Sequence, residues 1–271
     1  MKKNKKSLSQ ALRSNLLRRK QATEITEIKA KMEFTKKEKI YEGKAKVLYS
    51  TEDKNLLIQY FKDDATAFNN LKKDVIAGKG VLNNAISERI MLDISKHGVP
   101  THFIKKLNDR EQLIKKVSII PLEVIVRNIA AGSMAKRLGI EEGLKLPAPV
   151  FEICYKKDEL GDPLINDDHA VNVLQVVSFK QLAEIKNYTL KINEFLQKLF
   201  ADINIKLVDF KIEFGTDVDG KILLADEISP DSCRLWDANT SEKMDKDRFR
   251  RDLGGLVEAY TEVASRLNIK I

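Results

Sequence analysis

Apolar residues recur at strand-like spacing early in the chain and at helix-like spacing late in it. Ile40, Val47, Tyr49, Leu57, Ile58 and Phe61 flank the polar turn Ser50–Asn55 and predict a hairpin. Ile86, Ile90 and Ile94 repeat at i+4 and predict a helix over Val81–Lys96, ended by Gly98 and Pro100. Short strands follow at His102–Leu107 and Gln112–Val117, turned by Asn108-Asp109. Ile119–Arg127 reads as a strand with Leu122, Val124 and Val126 on one face, and Glu123, Ile125 and Arg127 on the other. A short helix is expected after Ser133, ending near Gly139.

Further on, Ser178-Phe179-Lys180-Gln181 has the form of a capping box opening a long helix, with Leu182, Ile185, Ile192, Leu196 and Leu199 as its buried stripe. A hairpin of Lys206–Gly215 and Lys221–Glu227 closes at Asp219-Gly220. A terminal helix carries Phe249, Leu253, Leu256, Tyr260, Val263 and Leu267 as its core face. No βαβ unit repeats, so the pattern predicts an α+β protein of two lobes with a boundary near Lys115–Ser118. The expected divisions are a basic extension over 1–35, a smaller strand-rich lobe over 36–116 and a larger α+β lobe over 117–271.

Charge changes this picture little. The formal net charge is +8, but residues 1–33 hold ten Lys and Arg against three Glu. That leaves 38 basic and 37 acidic residues in the rest, which is a near-neutral body rather than a nucleic-acid-binding one. The extension, with Leu8, Leu12 and Leu16 at helical spacing, admits a solvated arm, a frayed helix, a transit-like segment or upstream sequence ahead of Met32. No apolar run reaches the ~20 residues needed to cross a bilayer. Cys154 and Cys233 stand far apart without metal-ligand spacing, which fits a reducing, cytoplasmic setting. His97, His102 and His169 form no metal-binding pattern and read as structural or surface groups.

The chemistry concentrates in three stretches. In Leu207–Gly215, Val208, Phe210, Ile212 and Phe214 are expected on one strand face, with Asp209, Lys211 and Glu213 together on the other. Such a row suits either a cleft wall or an exposed face whose neighbours pair across it. The partner strand returns Asp226-Glu227 towards the row, and gathered carboxylates call for a cation such as Mg²⁺. Which of the two acids faces the row depends on the hairpin register and stays open. The loop that follows, Ser229-Pro230-Asp231-Ser232-Cys233-Arg234-Leu235-Trp236-Asp237, clusters hydroxyls, acids, one Arg and the only Trp.

In the second stretch, Gly43 precedes Lys44 and Lys46, which are expected on one strand face and suit polyphosphate. In the third, Arg127 runs into Ala130-Ala131-Gly132-Ser133, where a hydroxyl and backbone N–H groups at a helix start suit an anion. No P-loop, dinucleotide fingerprint or kinase catalytic loop is present.

At these residues the chain resembles the SAICAR synthetase family. Ile119–Arg127 through Ala131-Gly132-Ser133 and Leu207–Gly215 match the family's two signature segments throughout. Gly43–Lys46, Arg137–Gly143, Asp226–Asp231, Arg234–Asp237 and Met244–Arg250 are also similar, in family order, from about Lys36 onward. Cys233 departs from the family's usual Ser or Gly, and the extension has no counterpart in short bacterial members.

The resemblance implies a two-lobed ATP-binding α+β fold, related to ATP-grasp and kinase-like folds, with a mostly antiparallel sheet in each lobe. It implies a reaction that joins L-aspartate to 5-aminoimidazole-4-carboxylate ribonucleotide, releasing ADP and phosphate, with ATP as co-substrate and Mg²⁺. By the same resemblance Lys44, Lys46, Ile114, Lys115, Ile119 and Lys156 hold ATP, and Glu213 and Asp226 face the metal. Arg127, Ser133 and Arg234 hold the nucleotide, with Asp209 and Lys211 at its reacting end. Lys246, Arg248 and Arg250 are cationic candidates for aspartate. Relatives are often oligomers, so a homo-oligomer is admitted. The other readings are a small-molecule kinase using the same ATP site and, far behind, a nucleic-acid binder using the extension; no membrane partner is expected.

Overall fold

The computed structural model describes residues 34–67 and 71–271. Residues 1–33, and with them the readings offered for the basic extension, lie outside the described residues. Among them, five strands make the first sheet, in the order β1 (Lys39–Glu42), β2 (Lys46–Ser50), β3 (Leu56–Phe61), β7 (Glu111–Lys115) and β6 (Phe103–Lys106). Two short strands, β4 (Asp64–Ala67) and β5 (Lys72–Val75), pair separately. The turn at Ser50–Asn55 forms where the polar residues placed it, with Thr51 Oγ1 accepting from the Asp53 N–H at 3.1 Å. Helix α1 (Lys79–Lys96) buries Ile86, Ile90 and Ile94 and stops before Gly98.

The second sheet centres on β12 (Ile205–Thr216). Its order is β11 (Leu164–Ile165), β10 (Lys145–Tyr155), β9 (Leu122–Ile129), β12 and β13 (Ile222–Ala225). Both β8 (Ser118–Ile119) and β14 (Cys233–Asp237) also pair with β12. All the named strand pairings are antiparallel, which with the helices gives the α+β class expected. The short helix α2 (Gly132–Leu138) follows β9, and Gly139 closes it with a φ of 63°. Helix α3 (Phe179–Ala201) opens on the expected capping box, Ser178 Oγ accepting from the Gln181 N–H at 3.2 Å while Gln181 Oε1 accepts from the Ser178 N–H at 3.0 Å. It packs on β12 and β9, setting Leu182, Ile185, Ile192 and Leu196 in one core with Phe210, Ile212 and Phe214.

Four expectations need correcting. The strand over Ile119–Arg127 breaks at Ile120-Pro121 into β8 and β9, since proline has no N–H to donate to a ladder. The register of β12 against β14 skips between Leu207 and Asp209. That bulge turns Val208 away from the Phe210 face to pack with Ala131 and Trp236. Leu199 is only partly buried, and Phe200 fills the stripe instead.

The terminal helix is two helices, α4 (Asp247–Arg250) and α5 (Leu256–Arg266). Gly254 and Gly255 between them hold φ values of 67° and 61°, outside the helical range, and Leu253 is left 48% exposed.

The two sheets meet through backbone. Thr101 bridges Leu224 in parallel, the Leu224 N–H donates to Pro100 O at 2.8 Å, and the His102 N–H donates to Leu224 O at 2.8 Å. The approach to β6 is thereby stitched to β13, which fixes where the end of that strand lies relative to the first sheet.

Removing the α3 cap with Ser178→Ala should cost about 1 kcal/mol of stability in urea unfolding. An unchanged midpoint would show that the observed box contributes nothing.

Candidate functional site

Strand β12 gives the site its axis. Asp209 stands in register with Arg127 of β9 on one side and Arg234 of β14 on the other. Arg127 Nη1 donates to Asp209 Oδ2 at 2.9 Å, and Arg234 Nη1 donates to the same oxygen at 2.8 Å. Each guanidinium is held again elsewhere. Arg127 Nε donates to Glu152 Oε2 at 2.7 Å and Nη2 to Ser133 Oγ at 3.1 Å, while Arg234 Nε donates to Asp247 Oδ2 at 3.0 Å. Helix α2 starts against this cluster. A Cβ on Gly132 would lie 2.5 Å from Arg234 Nη2, and Gly132 has a φ of 55°, so the close approach and the backbone both demand glycine.

About 13 Å further along β12, at roughly 3.3 Å per residue, a second cluster forms around Glu213. Lys156 Nζ donates to Glu213 Oε2 at 2.5 Å. Lys211 Nζ donates to Glu123 Oε1 at 2.7 Å and to Glu213 Oε1 at 3.4 Å, so Lys211 spans two acids. Burial works against the charge on Glu213, but Lys211, Lys156 and Lys46 outweigh it and hold the carboxyl below its usual range. Burial likewise opposes the Lys211 ammonium, and Glu213 with Glu123 outweighs it, leaving that group above the lysine range.

Glu213 stands opposite Ala225, so the two acids that follow β13 lie beside it. Lys46, from the start of β2 in the first sheet, ion-pairs with both Asp226 and Glu227. Asp226 takes a φ of 69°, which turns the chain sharply and lets two consecutive acids reach one ammonium. The hairpin register therefore does not choose between Asp226 and Glu227. Burial drives Lys46 down and Asp226 up, each towards its neutral form, and their direct contact opposes that drift.

Asp209, Arg127, Ser133 and Arg234 thus come together, and Lys46, Lys156, Lys211, Glu213 and Asp226 form the neighbouring group. Lys44 departs from its expected place. It lies in the bend between β1 and β2 rather than on a strand face with Lys46, and its Nζ donates to Asp158 Oδ1 at 3.0 Å in an exposed pair. Ile114 is buried inside the first sheet, opposite Leu57 and Phe103, whereas Lys115 and Ile119 are exposed on the segment joining the two sheets. The Lys115 N–H donates to His102 O at 2.7 Å. Among the cations considered for aspartate, Arg250 donates to Asp247 Oδ1 at 2.6 Å beside Arg234, and Lys246 is half-buried near Asp231. Arg248 turns elsewhere, to Glu242 and the Gly254 carbonyl.

Sequence reasoning gave no part in the site to Glu123, Glu152, Lys79 or Tyr260. Glu123 shares the Arg127 face of β9, a signal that was available. Nothing in the pattern marks Lys79, which is fully buried at the first turn of α1.

Among the described residues no three His, Cys, Asp or Glu side chains are arranged as a metal cage. Magnesium in nucleotide sites takes only one or two protein carboxylates and completes its shell with phosphate and water. Asp226 and Glu227 converge on a single cationic group, and Glu227 Oε2 is buried with no partner besides Lys46. With Glu213 beside them, these acids fit such an ion.

The model of the family described as SAICAR synthetase matches residues 39–267. A phosphoribosylaminoimidazole-succinocarboxamide synthase of Clostridium novyi (strain NT) is 60% identical over 232 residues, covering 86% of this chain and 98% of that protein. The crystal structure of the synthase from Ehrlichia chaffeensis superposes with a TM-score of 0.84 at 49% identity, covering 86% of this chain and 100% of that one. A SAICAR synthetase solved in complex with ADP gives a TM-score of 0.81 at 49% identity, covering 84% and 96%. The chain belongs to the SAICAR synthetase family.

Proposed function

We propose that the two clusters on β12 carry out the ATP-dependent ligation of L-aspartate to 5-aminoimidazole-4-carboxylate ribonucleotide, yielding the succinocarboxamide, ADP and phosphate. The observation that carries this reading is the continuous row Asp209–Lys211–Glu213. It joins a pair of arginines, suited to an anionic nucleotide, to a group of lysines and acids suited to a polyphosphate and its cation. Family membership makes the chain a carbon–nitrogen ligase of purine biosynthesis, and the similar synthetase bound to ADP supports ATP as co-substrate.

A carboxylate does not accept an amine at neutral pH, because oxide is too poor a leaving group. Transfer of the γ-phosphoryl group of ATP to the carboxylate makes an acyl phosphate and releases ADP. The aspartate amine then attacks the acyl carbon, loses a proton and expels phosphate. Arg127, Ser133 and Arg234 bind the ribonucleotide, with Asp209 keeping both guanidinium groups oriented. Lys46 and Lys156, with Lys44 at the β1–β2 bend, draw in the ATP phosphates. Ile114, Lys115 and Ile119 border the adenine. Lys211, held between Glu123 and Glu213, holds the reacting carboxylate or the phosphoryl group beside it. Glu213 and Asp226 would hold Mg²⁺, which would supply positive charge beside the phosphoryl oxygens.

In this reading the stretches 36–116 and 117–271 act as two lobes with ATP between them. The substrates are small molecules, and the setting is the cytoplasm. Both cysteines are free, and among the described residues no helix is long and apolar enough to cross a membrane. A homo-oligomer remains compatible with the reading.

The deciding assay combines the ribonucleotide, ATP, Mg²⁺ and aspartate and omits each in turn. ADP release should require all four, and turnover without aspartate would instead mark a kinase. Lys211→Ala should lower kcat by about 10²–10³-fold while ATP binding, followed by calorimetry, persists; full activity would remove Lys211 from the reaction. Gly132→Ala should push Arg234 aside and lower kcat/KM for the ribonucleotide about a hundredfold. Unchanged kinetics there would separate Arg234 from nucleotide binding.

A further inference from the structure

Behind the site lies a charged group that the reaction does not touch. Lys79, the first residue of α1, is fully buried, and its Nζ donates to Asp231 Oδ2 at 2.6 Å. The Tyr260 hydroxyl, on α5 and equally buried, donates to Asp231 Oδ1 at 2.6 Å. The Asp231 side chain is 4% exposed, so both of its oxygens are claimed in a dry interior by two helices far apart in sequence. Burial opposes its charge, yet Lys246 and Lys79, aided by the tyrosine hydroxyl, keep the carboxyl ionised well below the usual range.

Asp231 sits midway in the segment whose ends do the chemistry. At one end Asp226 and Glu227 meet Lys46, and at the other Arg234 meets Asp209. Between them the backbone is stitched to itself. The Ser232 and Cys233 N–H groups donate to Ser229 O at 3.0 and 2.9 Å, and the Ser229 N–H donates to Ser232 Oγ at 3.1 Å. Its other ties run to β12 and to Lys246: Cys233 and Arg234 pair with Phe210 and Asp209, the Lys211 N–H donates to Ser232 O at 2.9 Å, and the Lys246 N–H donates to Pro230 O at 3.1 Å. The segment therefore behaves as a small rigid block. Asp231 is the side chain that tethers that block to α1 and α5.

Resting on the ligase reading above, we propose that Lys79 and Tyr260 are positioning residues. By gripping Asp231 from α1 and α5 they fix the Asp226–Arg234 block, and with it the spacing between the acids at Lys46 and the guanidinium at Asp209. Stability alone does not explain such a group, because well-packed apolar side chains often serve a buried position as well as an ion pair does. A pivot of the block would move the two ends of the site relative to each other, and displacements near 1 Å are enough to slow aligned reactants by about a hundredfold.

The test uses the full chain and follows kcat, the KM for each substrate and thermal unfolding together. Tyr260→Phe, which removes one hydroxyl, should lower kcat about tenfold while KM for ATP stays within about twofold. Lys79→Met should lower both kcat and the unfolding temperature. Lys79→Met combined with Asp231→Asn removes both charges; it should regain the unfolding temperature while kcat stays at least about tenfold below wild type. Recovery of kcat along with stability in the double variant would reduce the group to a structural one and overturn the proposal, as would wild-type kcat in a folded Tyr260→Phe. If the wild-type chain itself fails to join aspartate to the ribonucleotide, the ligase reading falls, and this proposal with it. Normal wild-type turnover beside unaffected variants overturns the positioning idea alone.

Discussion

A charge taken out of water must find an opposite charge or give up its own, and within five residues β12 buries two carboxylates with a half-buried lysine between them. Asp209, Lys211 and Glu213 alternate in sign, and each is met from a neighbouring element: Asp209 by Arg127 and Arg234, Lys211 by Glu123, Glu213 by Lys156. The strands beside β12 supply most of these partners, which is why β9 carries Glu123 and Arg127 on the face that β12 shares. Lys46 arrives from the other sheet, and the bridge at Leu224 fixes the end of β13 that it must meet.

The same constraint shapes what a ligand encounters. Every nitrogen of Arg127 that can reach a carboxylate or hydroxyl already does so, through Glu152, Asp209 and Ser133. Its plane is thus set before any phosphate arrives, and a bound anion need not order a long flexible side chain. The surface pair Lys44–Asp158 contrasts with this: solvent screens it, and such pairs contribute little, about 0–1 kcal/mol. Lys44 is consequently free to leave Asp158 at small cost, whereas Arg127 is not free to leave Asp209.

Much of this was legible in the sequence because it depends on local alternation. The helix stop at Gly98, the capping box at Ser178 and the Glu123/Arg127 face of β9 all follow from spacing that the backbone obeys. What escaped was decided by contacts distant in the chain or by backbone that departs from its period. The bulge that turns Val208 away from the Phe210 face is set by pairing with β14, whose first residue, Cys233, comes well after it in the chain. The left-handed Asp226 made an either-or question about two acids the wrong question, since both meet Lys46. The break at Gly254-Gly255 stood in plain view as two glycines, but a run of correctly spaced apolar residues on either side concealed it. Lys79 was invisible for a different reason: its ammonium pairs with Asp231, 152 residues away, and no local pattern foretells a buried lysine.

Buried ion pairs are poor stabilisers, since the desolvation of two charges roughly cancels their attraction, yet losing one partner costs about 3–5 kcal/mol. A fold assembled for stability alone would have little use for the many ionised side chains packed along and behind β12. Their concentration there, against apolar packing of Phe210, Ile212 and Phe214 by α3 on the opposite face, divides the labour of the strand by side. One face supplies the free energy of folding through apolar burial. The other tolerates a charge arrangement that folding alone would not select, held rigid because each member is already paired. That division explains why the charged face can be tuned to phosphates and carboxylates without loosening the core, and why its members must be changed in pairs to keep the chain folded.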